Sequence, residues 1–472
     1  MDSTPRELWY GGEKITGSVS KHPAFRGVAK SMAALYDMQS QSGLRDVMTY
    51  DSPTTGKRVG MSFLQPRTKE DLARRTKAMK AWADYSGGML GRTADYLNSS
   101  IMAMAAAKGF FANEERDFGA NIQSYYEYVR ENDLLLTHTL INPQVNRAVG
   151  PSKQADPFIA ARVLEKSSEG VVVRGARMLA TLPMADEILV FPSVVLRSGQ
   201  DDMPYSIAFA LPVSAKGLSF ICRESFADDS AYDHPLASRF DEQDAVVCFD
   251  DVVVPWERVF LMEDPERANK FSEATDAIVF MAHQATVREV AKAEFVVGVA
   301  TLVAETIGAD QFPQVQERIA EMILTLETMR AFLASSEANA RVNRWGIMTP
   351  DYVPLNSARN LWPRVSPPLA AAVKQIGASG LMAIPPEEIL SSPARPKVDK
   401  YYQAKLADAE ERIRLFKLAW DAVGSSFGGR QELYERFFFG DPVRIASNYY
   451  NWYDKEPYKA RVRELLHRKE GE

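Results

Sequence analysis

The chain has 472 residues, 46% hydrophobic and 25% charged, with a formal net charge of −6. That length allows two or three domains, the composition is that of an ordinary globular protein, and mixed charge excludes the basic stripe nucleic acid requires. Cys222 and Cys248 are the two cysteines, too few for a disulfide framework or an iron–sulfur ligand set, and they suit a reducing, cytoplasmic compartment.

The N-terminus has no apolar h-region and no run of about 18 apolar residues follows, so neither a signal peptide nor a membrane span is expected. Residues 1–136 read as an N-terminal helical domain. Thr4-Pro5-Arg6-Glu7 looks like a helix entry with Pro in its first turn, stopped at Gly11-Gly12. Helices are expected over residues 25–38, from Thr68 to about Tyr85, over 89–108 and over 113–132. Turn signals at Asp51-Ser52-Pro53 and Thr55-Gly56-Lys57 suggest a hairpin arm within residues 46–63.

From residue 137 to 266 the texture changes to short β-branched runs, the pattern of a central β domain built as a small barrel or sandwich. Its last piece, residues 245–260, reads as two strand segments broken at Asp250-Asp251. Residues 267–472 return to helix. Val296, Val299, Val303 and Ile307 share one stripe; so do Val315, Ile319, Met322, Leu326, Met329 and Leu333. With helices within 367–382 and over 400–423, these make a C-terminal four-helix bundle. The aromatic-rich tail beyond Gln431 is expected to pack on a neighbouring subunit, in a dimer or tetramer. The fold class is therefore α+β, mostly α.

No nucleotide-binding glycine motif, P-loop, H-E-x-x-H or C-x-x-C occurs, so no nicotinamide or metal site is recognisable. Gly424-Ser425-Ser426-Phe427-Gly428 fits the G-x-S-x-G nucleophile elbow, with Asp441 and His467 following. A helical pattern stands before it where an elbow needs a strand, which argues for a helix end instead. The stretch 137–153 is dense in polar groups around Pro143 and Gly150. It fits a ligand-presenting loop or a solvated linker. Arg92 and Tyr96, four apart, would share a helix face, as a surface stack or as a cation and a phenol aimed at an oxygen. His138, at the helical-to-β boundary, is a structural histidine or a proton handler. Residues 234–244 read as an exposed loop or a cover over a pocket mouth, with Arg239 paired to Asp241.

Five segments in order, GRTADY (91–96), THTLINPQVNR (137–147), GARMLAT (175–181), HPLASRFDEQDAVVCFDDVVVPWERVF (234–260) and FGGRQELYERFFFGDP (427–442), resemble the 4-hydroxyphenylacetate 3-hydroxylase family. The resemblance runs over nearly the whole chain. It implies an acyl-CoA dehydrogenase-like fold and the oxygenase component of a two-component flavin-dependent monooxygenase. Such a component ortho-hydroxylates a small phenol through a hydroperoxide at flavin C4a, with O2 as co-substrate and reduced FAD supplied by a separate reductase. The context implied is aromatic catabolism. Arg92, Tyr96 and His138 then surround the substrate hydroxyl, and His138 also contacts the cofactor. Gln144, Val145, Asn146 and Arg147 match a flavin-contacting turn, and Gly150, Pro151, Ser152 and Lys153 the next contact. Thr181 lies beside the isoalloxazine ring, and Ser425, Ser426, Phe427 and Gly428 form a late flavin contact. Asn146 stands where the family commonly has Asp. Arg197, in the loop 192–204, reads equally as a surface arginine or as a partner for a substrate carboxylate. An acyl-CoA dehydrogenase or dehydratase of the same fold is the alternative; it lacks a placeable glutamate base and the cysteines for a cluster.

Overall fold

The computed structural model describes residue 2 and residues 4–113, 116–192, 196, 200–227 and 230–467. The first regular element is a strand where a helix entry was expected. Strand β1 (Glu7–Tyr10) turns over Gly11 and Gly12, both at positive φ (61° and 89°), into β2 (Glu13–Lys14). Leu8 is fully buried because β1 lies parallel to a later strand of the central sheet. Local Pro chemistry loses there to an available sheet edge.

The four long N-terminal helices fall where the sequence signals placed them, except that those expected from 89 and 113 start at 94 and 118. Helix α1 (Pro23–Met38) has Pro at its first turn, and the His22 side chain caps it by accepting from the Ala24 N–H at 3.2 Å. After α2 (Arg45–Met48), β3 (Thr49–Asp51) and β4 (Arg58–Gly60) form the expected arm. Helix α3 (Lys69–Tyr85) opens on a capping box between Thr68 and Asp71. Helix α4 (Ala94–Ala106) is buried along twelve of its thirteen residues, and that is why it shows no polar face. Helix α5 (Phe118–Asn132) ends at Asp133, in the left-handed region at φ 49°.

Eight strands follow: β5 (Leu136–Thr139), β6 (Arg162–Lys166), β7 (Gly170–Thr181), β8 (Glu187–Val190), β9 (Ile207–Pro212), β10 (Leu218–Cys222), β11 (Asp244–Pro255) and β12 (Val259–Met262). They make a six-stranded sheet, β2-β1-β10-β11-β7-β6, and a four-stranded sheet, β12-β9-β8-β5. Phe209 and Phe249 meet edge to face across the two sheets, 5.8 Å between centroids. The expected break at Asp250-Asp251 is a bulge inside β11: the register against β7 shifts between Phe249 and Val252, and Asp251 sits at φ 51°. Helix α6 (Ala237–Phe240) precedes β11. Gly27 of α1 packs so closely on it that a Cβ would stand 1.9 Å from the Ser238 carbonyl.

The remaining helices are α7 (Pro265–Ala274), α8 (Ala277–Thr306), α9 (Pro313–Ala338), α10 (Tyr352–Met382), α11 (Arg395–Tyr401), α12 (Ala409–Val423), α13 (Ser426–Phe437), α14 (Pro442–Trp452) and α15 (Glu456–His467). Helices α8, α9, α10 and α12 form the bundle, with α8 at its centre against α3 and α4 as well. The helix expected within 367–382 starts earlier, at Tyr352, and runs through Pro363, Pro367 and Pro368 before kinking at Ala378. The single helix expected over 400–423 is two, because Asp408 caps a fresh start, accepting from the Glu411 N–H at 2.9 Å.

Candidate active site

Arg92 and Tyr96 do meet, but not across a helix face. Helix α4 begins at Ala94 with Thr93 as its N-cap, so Arg92 lies before the helix and folds back over it. Its guanidinium carbon stands 4.4 Å from the Tyr96 ring centre, 4.2 Å from Phe438 and 5.5 Å from Tyr434. The fold-back is held from behind. Buried Glu242 accepts from the Gly91 N–H at 3.0 Å and the Arg92 N–H at 2.7 Å. Gly91 is required there, because a Cβ would stand 2.3 Å from the Tyr434 ring.

His138 joins this group from β5. Its ring is 5.9 Å from Tyr96 and 6.0 Å from Phe191, which stacks on Phe271 of α7 at 5.5 Å. His138 is buried, and that burial, reinforced by the Arg92 charge, holds its pKa well below 6.5. The imidazole is therefore neutral at pH 7, the form that can accept a proton, while burial and Arg92 both weaken it as a base until an anion stands beside them. Nε and Nη1 of Arg92 are buried without a hydrogen-bond partner, as is the Tyr434 hydroxyl. Leaving such a group unpaired costs about 1–3 kcal/mol, and a ligand oxygen would relieve it.

Thr181 ends β7 between Leu179 and Leu182, both non-glycine residues at positive φ (61° and 64°). The Thr181 hydroxyl donates to Asp244 at 2.8 Å, which leaves its lone pairs for another donor. Burial alone would raise Asp244, but Arg430 and Arg223 outweigh it and hold the carboxyl at about 2. After β5 the chain bridges back to Met178 at Ile141, and Asn142 accepts from the fully buried Arg177. Beyond that anchor Gln144, Val145, Asn146 and Arg147 are exposed. The Asn146 side-chain oxygen accepts from the Ala148 N–H at 3.0 Å, a turn bond an Asp would make equally well. Gly150 is half-buried and open around its Cα, Pro151 is buried, Ser152 is half-buried, and Lys153 pairs with Asp201 at 2.6 Å on the surface. Asp441, the N-cap of α14, is held below the usual carboxylate range chiefly by the Arg444 and Val443 N–H groups it caps, with a smaller contribution from the Arg147 charge.

Ser425, Ser426, Phe427 and Gly428 are placed differently. Ser425 caps α13, accepting from the Gly428 N–H at 3.1 Å and donating to buried Asp421 at 2.9 Å. Asp421 in turn accepts from Leu236 and Ala237, so this turn is tied to the α6 segment. Phe427 is in the core and Ser426 is exposed. The elbow reading has no support in these contacts, since α12 rather than a strand precedes Ser425. The pairing of Arg239 with Asp241 is corrected: Arg223 holds Asp241 at 2.6 Å, and Arg239 lies over the Tyr85 and Phe240 rings. Arg197 lies outside the described residues. Sequence reasoning missed Glu242, Arg430, Tyr434, Phe438 and Phe191. Glu242 stood in what read as an exposed loop, and the two aromatics of the α13 end in what read as a subunit-packing tail; only their motif membership could have marked them.

Two family models cover the chain: 4-hydroxyphenylacetate 3-hydroxylase N terminal over residues 1–261 and its C terminal over residues 268–467. The oxygenase component of 4-hydroxyphenylacetate 3-monooxygenase from Thermus thermophilus is 51% identical over 99% of this chain and 95% of its own length. A 4-nitrophenol 2-monooxygenase oxygenase component from a Rhodococcus species is 32% identical over 92% of this chain and 84% of its own. A crystal structure of a 4-hydroxyphenylacetate 3-monooxygenase oxygenase component complexed with FAD and 4-hydroxyphenylacetate superposes with a TM-score of 0.95, at 51% identity, covering 98% of this chain and 96% of that one. An archaeal 4-hydroxybutyryl-CoA dehydratase shares the fold at 20% identity and a TM-score of 0.87, over 98% of this chain and 92% of its own.

Proposed function

The chain belongs to the 4-hydroxyphenylacetate 3-hydroxylase family, and from that premise we propose that it hydroxylates a para-substituted phenol, 4-hydroxyphenylacetate first among them, ortho to the hydroxyl. It is a flavin-dependent monooxygenase of the two-component type, using FAD and O2 and drawing reduced flavin from a separate reductase.

One observation carries the substrate reading: the two unpartnered Arg92 donors stand beside a neutral, buried imidazole. A phenol is weakly nucleophilic at carbon until its proton leaves, and its solution pKa is near that of tyrosine, about 10. The phenolic O–H bond breaks toward the His138 imidazole, and the charge left on oxygen faces Arg92 and Tyr96. Reduced FAD, when bound, supplies together with O2 the electrophilic oxygen that this activated ring accepts. The Thr181 hydroxyl, with its proton committed to Asp244, fits a flavin N–H donor, and the exposed backbone and amides of Gln144, Val145, Asn146 and Arg147 with Gly150, Pro151, Ser152 and Lys153 fit the rest of the cofactor. Ser425, Ser426, Phe427 and Gly428 would join them by the N-terminus of α13 rather than by the Ser425 hydroxyl, which is engaged with Asp421. Phe191 and Phe271 wall the site against water, which otherwise diverts oxygen to peroxide. Arg197, in the loop 192–204, is proposed for the para substituent's carboxylate.

Among the described residues no helix is long and apolar enough to cross a membrane. A cytoplasmic setting is proposed because reduced flavin must arrive from a nicotinamide-using partner. The test is a product screen. Protein with NADH, FAD and 4-hydroxyphenylacetate should give no catechol; adding a flavin reductase should produce it, and halogenated, nitro- and tyrosine-like phenols rank the pocket. Catechol without the reductase would refute the two-component assignment.

A further inference from the structure

Arg92 is a cation without a counterion. Among the described residues no carboxylate pairs with its guanidinium, although three acidic groups stand close in the fold. Glu242 spends its oxygens on backbone N–H groups of Gly91 and Arg92 and on Arg430, whose Nη1 is 3.2 Å away. Asp244 takes the rest of the same guanidinium, Nη2 at 2.9 Å and Nε at 3.1 Å, with Arg223 on its other side at 3.0 Å. Glu435 is closed by Arg288 at 2.6 Å, Lys292 at 2.7 Å and the Trp362 indole at 2.7 Å. Arg288 itself lies over Phe438 at 5.1 Å, so Phe438 separates the two cations. Arg430 stacks on Tyr434 at 4.4 Å, and that ring is also a wall of the Arg92 cage. One side chain thus sits behind both halves of the site. Through Glu242 it reaches the Arg92 backbone; through Asp244 it reaches the Thr181 hydroxyl.

We propose that Arg430 is a positioning residue for hydroxylation: by engaging Glu242 and Asp244 it keeps Arg92 an uncompensated, ring-caged cation for the phenolic oxygen and locks that cation to the strand end carrying Thr181. The physics is a matter of which charge is left over. In a site shielded from water, an unpaired carboxylate next to Arg92 cancels most of what Arg92 offers a phenolate. A guanidinium forked across two carboxylates removes that competitor and adds a geometric tie that a single ammonium lacks. The groups facing Arg92 are Tyr96 from α4, His138 from β5, Tyr434 and Phe438 from the α13 end, and Glu242 before β11; of these only Glu242 is a carboxylate.

This inference rests on the phenol-binding reading above, so its test separates the two. The probe is 4-nitrophenol, whose phenolate is coloured, titrated against pH with the protein and reduced FAD under anaerobic conditions, where no turnover occurs. Wild-type protein should ionise the bound phenol below its solution pKa. Arg430→Met should raise the apparent pKa of the bound phenol by roughly one unit, about a tenfold loss of phenolate at pH values below it. Arg430→Lys should restore most of the shift by keeping the charge. Arg430→Gln removes the charge but keeps a hydrogen-bonding amide between the two carboxylates, so it should move the titration the same way, and it decides the matter if Arg430→Met does not fold. A folded Arg430→Met protein that ionises the phenol as wild type does overturns the inference alone. Wild-type protein that binds no ionised phenol overturns the reading of the site and the inference with it.

Discussion

Arg92 and His138 show how much of this site is decided by neighbours rather than by residue type. An arginine against three rings, with two donors unpaired, is poised for an anion; the same arginine beside a carboxylate would be inert. His138 is held neutral by burial and then by the Arg92 charge. Its folded pKa lies below the unfolded value of about 6.5, so its contribution to stability is full above that pH and is lost as pH falls toward the folded pKa. His138→Asn should therefore narrow the drop in Tm between pH 7.5 and pH 5.5, measured by calorimetry without ligand. The same position tests the chemistry. His138→Ala should keep consuming O2 with reduced FAD but release hydrogen peroxide in place of catechol, with hydroxylation down by about a hundredfold or more, the low end for a lost acid–base group. An unchanged yield would remove His138 from the mechanism.

At the scale of elements, the site is where α4, β5, the end of β7, the entry to β11 and the end of α13 meet. Each brings one to three side chains, and none could hold the site alone. The tightest joint is Gly91 under Tyr434, where added volume meets a ring that is itself packed against Phe438. Gly91→Ala should displace Tyr434 and with it the cage, costing about 1–3 kcal/mol in stability and lowering phenol affinity more than flavin affinity. Separate titrations of the two ligands, with urea unfolding alongside, check this; equal losses of both affinities would mean general collapse. Helices α4 and α8 make a related point. Both are buried nearly all round, so neither carries a clean apolar stripe, and the α8 stripe read at Val296, Val299 and Val303 covers only its C-terminal half.

At the scale of the molecule, the C-terminal helices leave apolar surface uncovered. Val443, Tyr450, Trp452, Val462, Leu465 and Leu466 are exposed along α14 and α15, while Ile445 is the buried residue of α14 and α15 has none. Apolar residues at this density on helices with little core of their own suit a second copy of the chain. We propose that the protein self-associates as a dimer or tetramer through this segment. Light scattering should give a mass that is a multiple of 52.7 kDa, and removing residues 454–472 should reduce the assembly. A monomer at micromolar concentration would exclude it.

The sequence by itself determined the helix over 25–38 to within two residues of its start, the helix start at Thr68, the hairpin arm, most strands between β6 and β10, and the motif order that marks the family. These depend on turn chemistry, capping and short-range periodicity, all of which are local. It could not determine that Glu7–Tyr10 would join a sheet edge more than 200 residues away, pairing Leu8 with Phe220, or that the helix expected over 400–423 would restart at Asp408. Nor could it show that Arg92 would fold back before its helix with Glu242 behind it and Phe438 in front. Those outcomes belong to tertiary structure, because which carboxylate neutralises which cation is set by distances between segments far apart in the chain, and no local pattern records them.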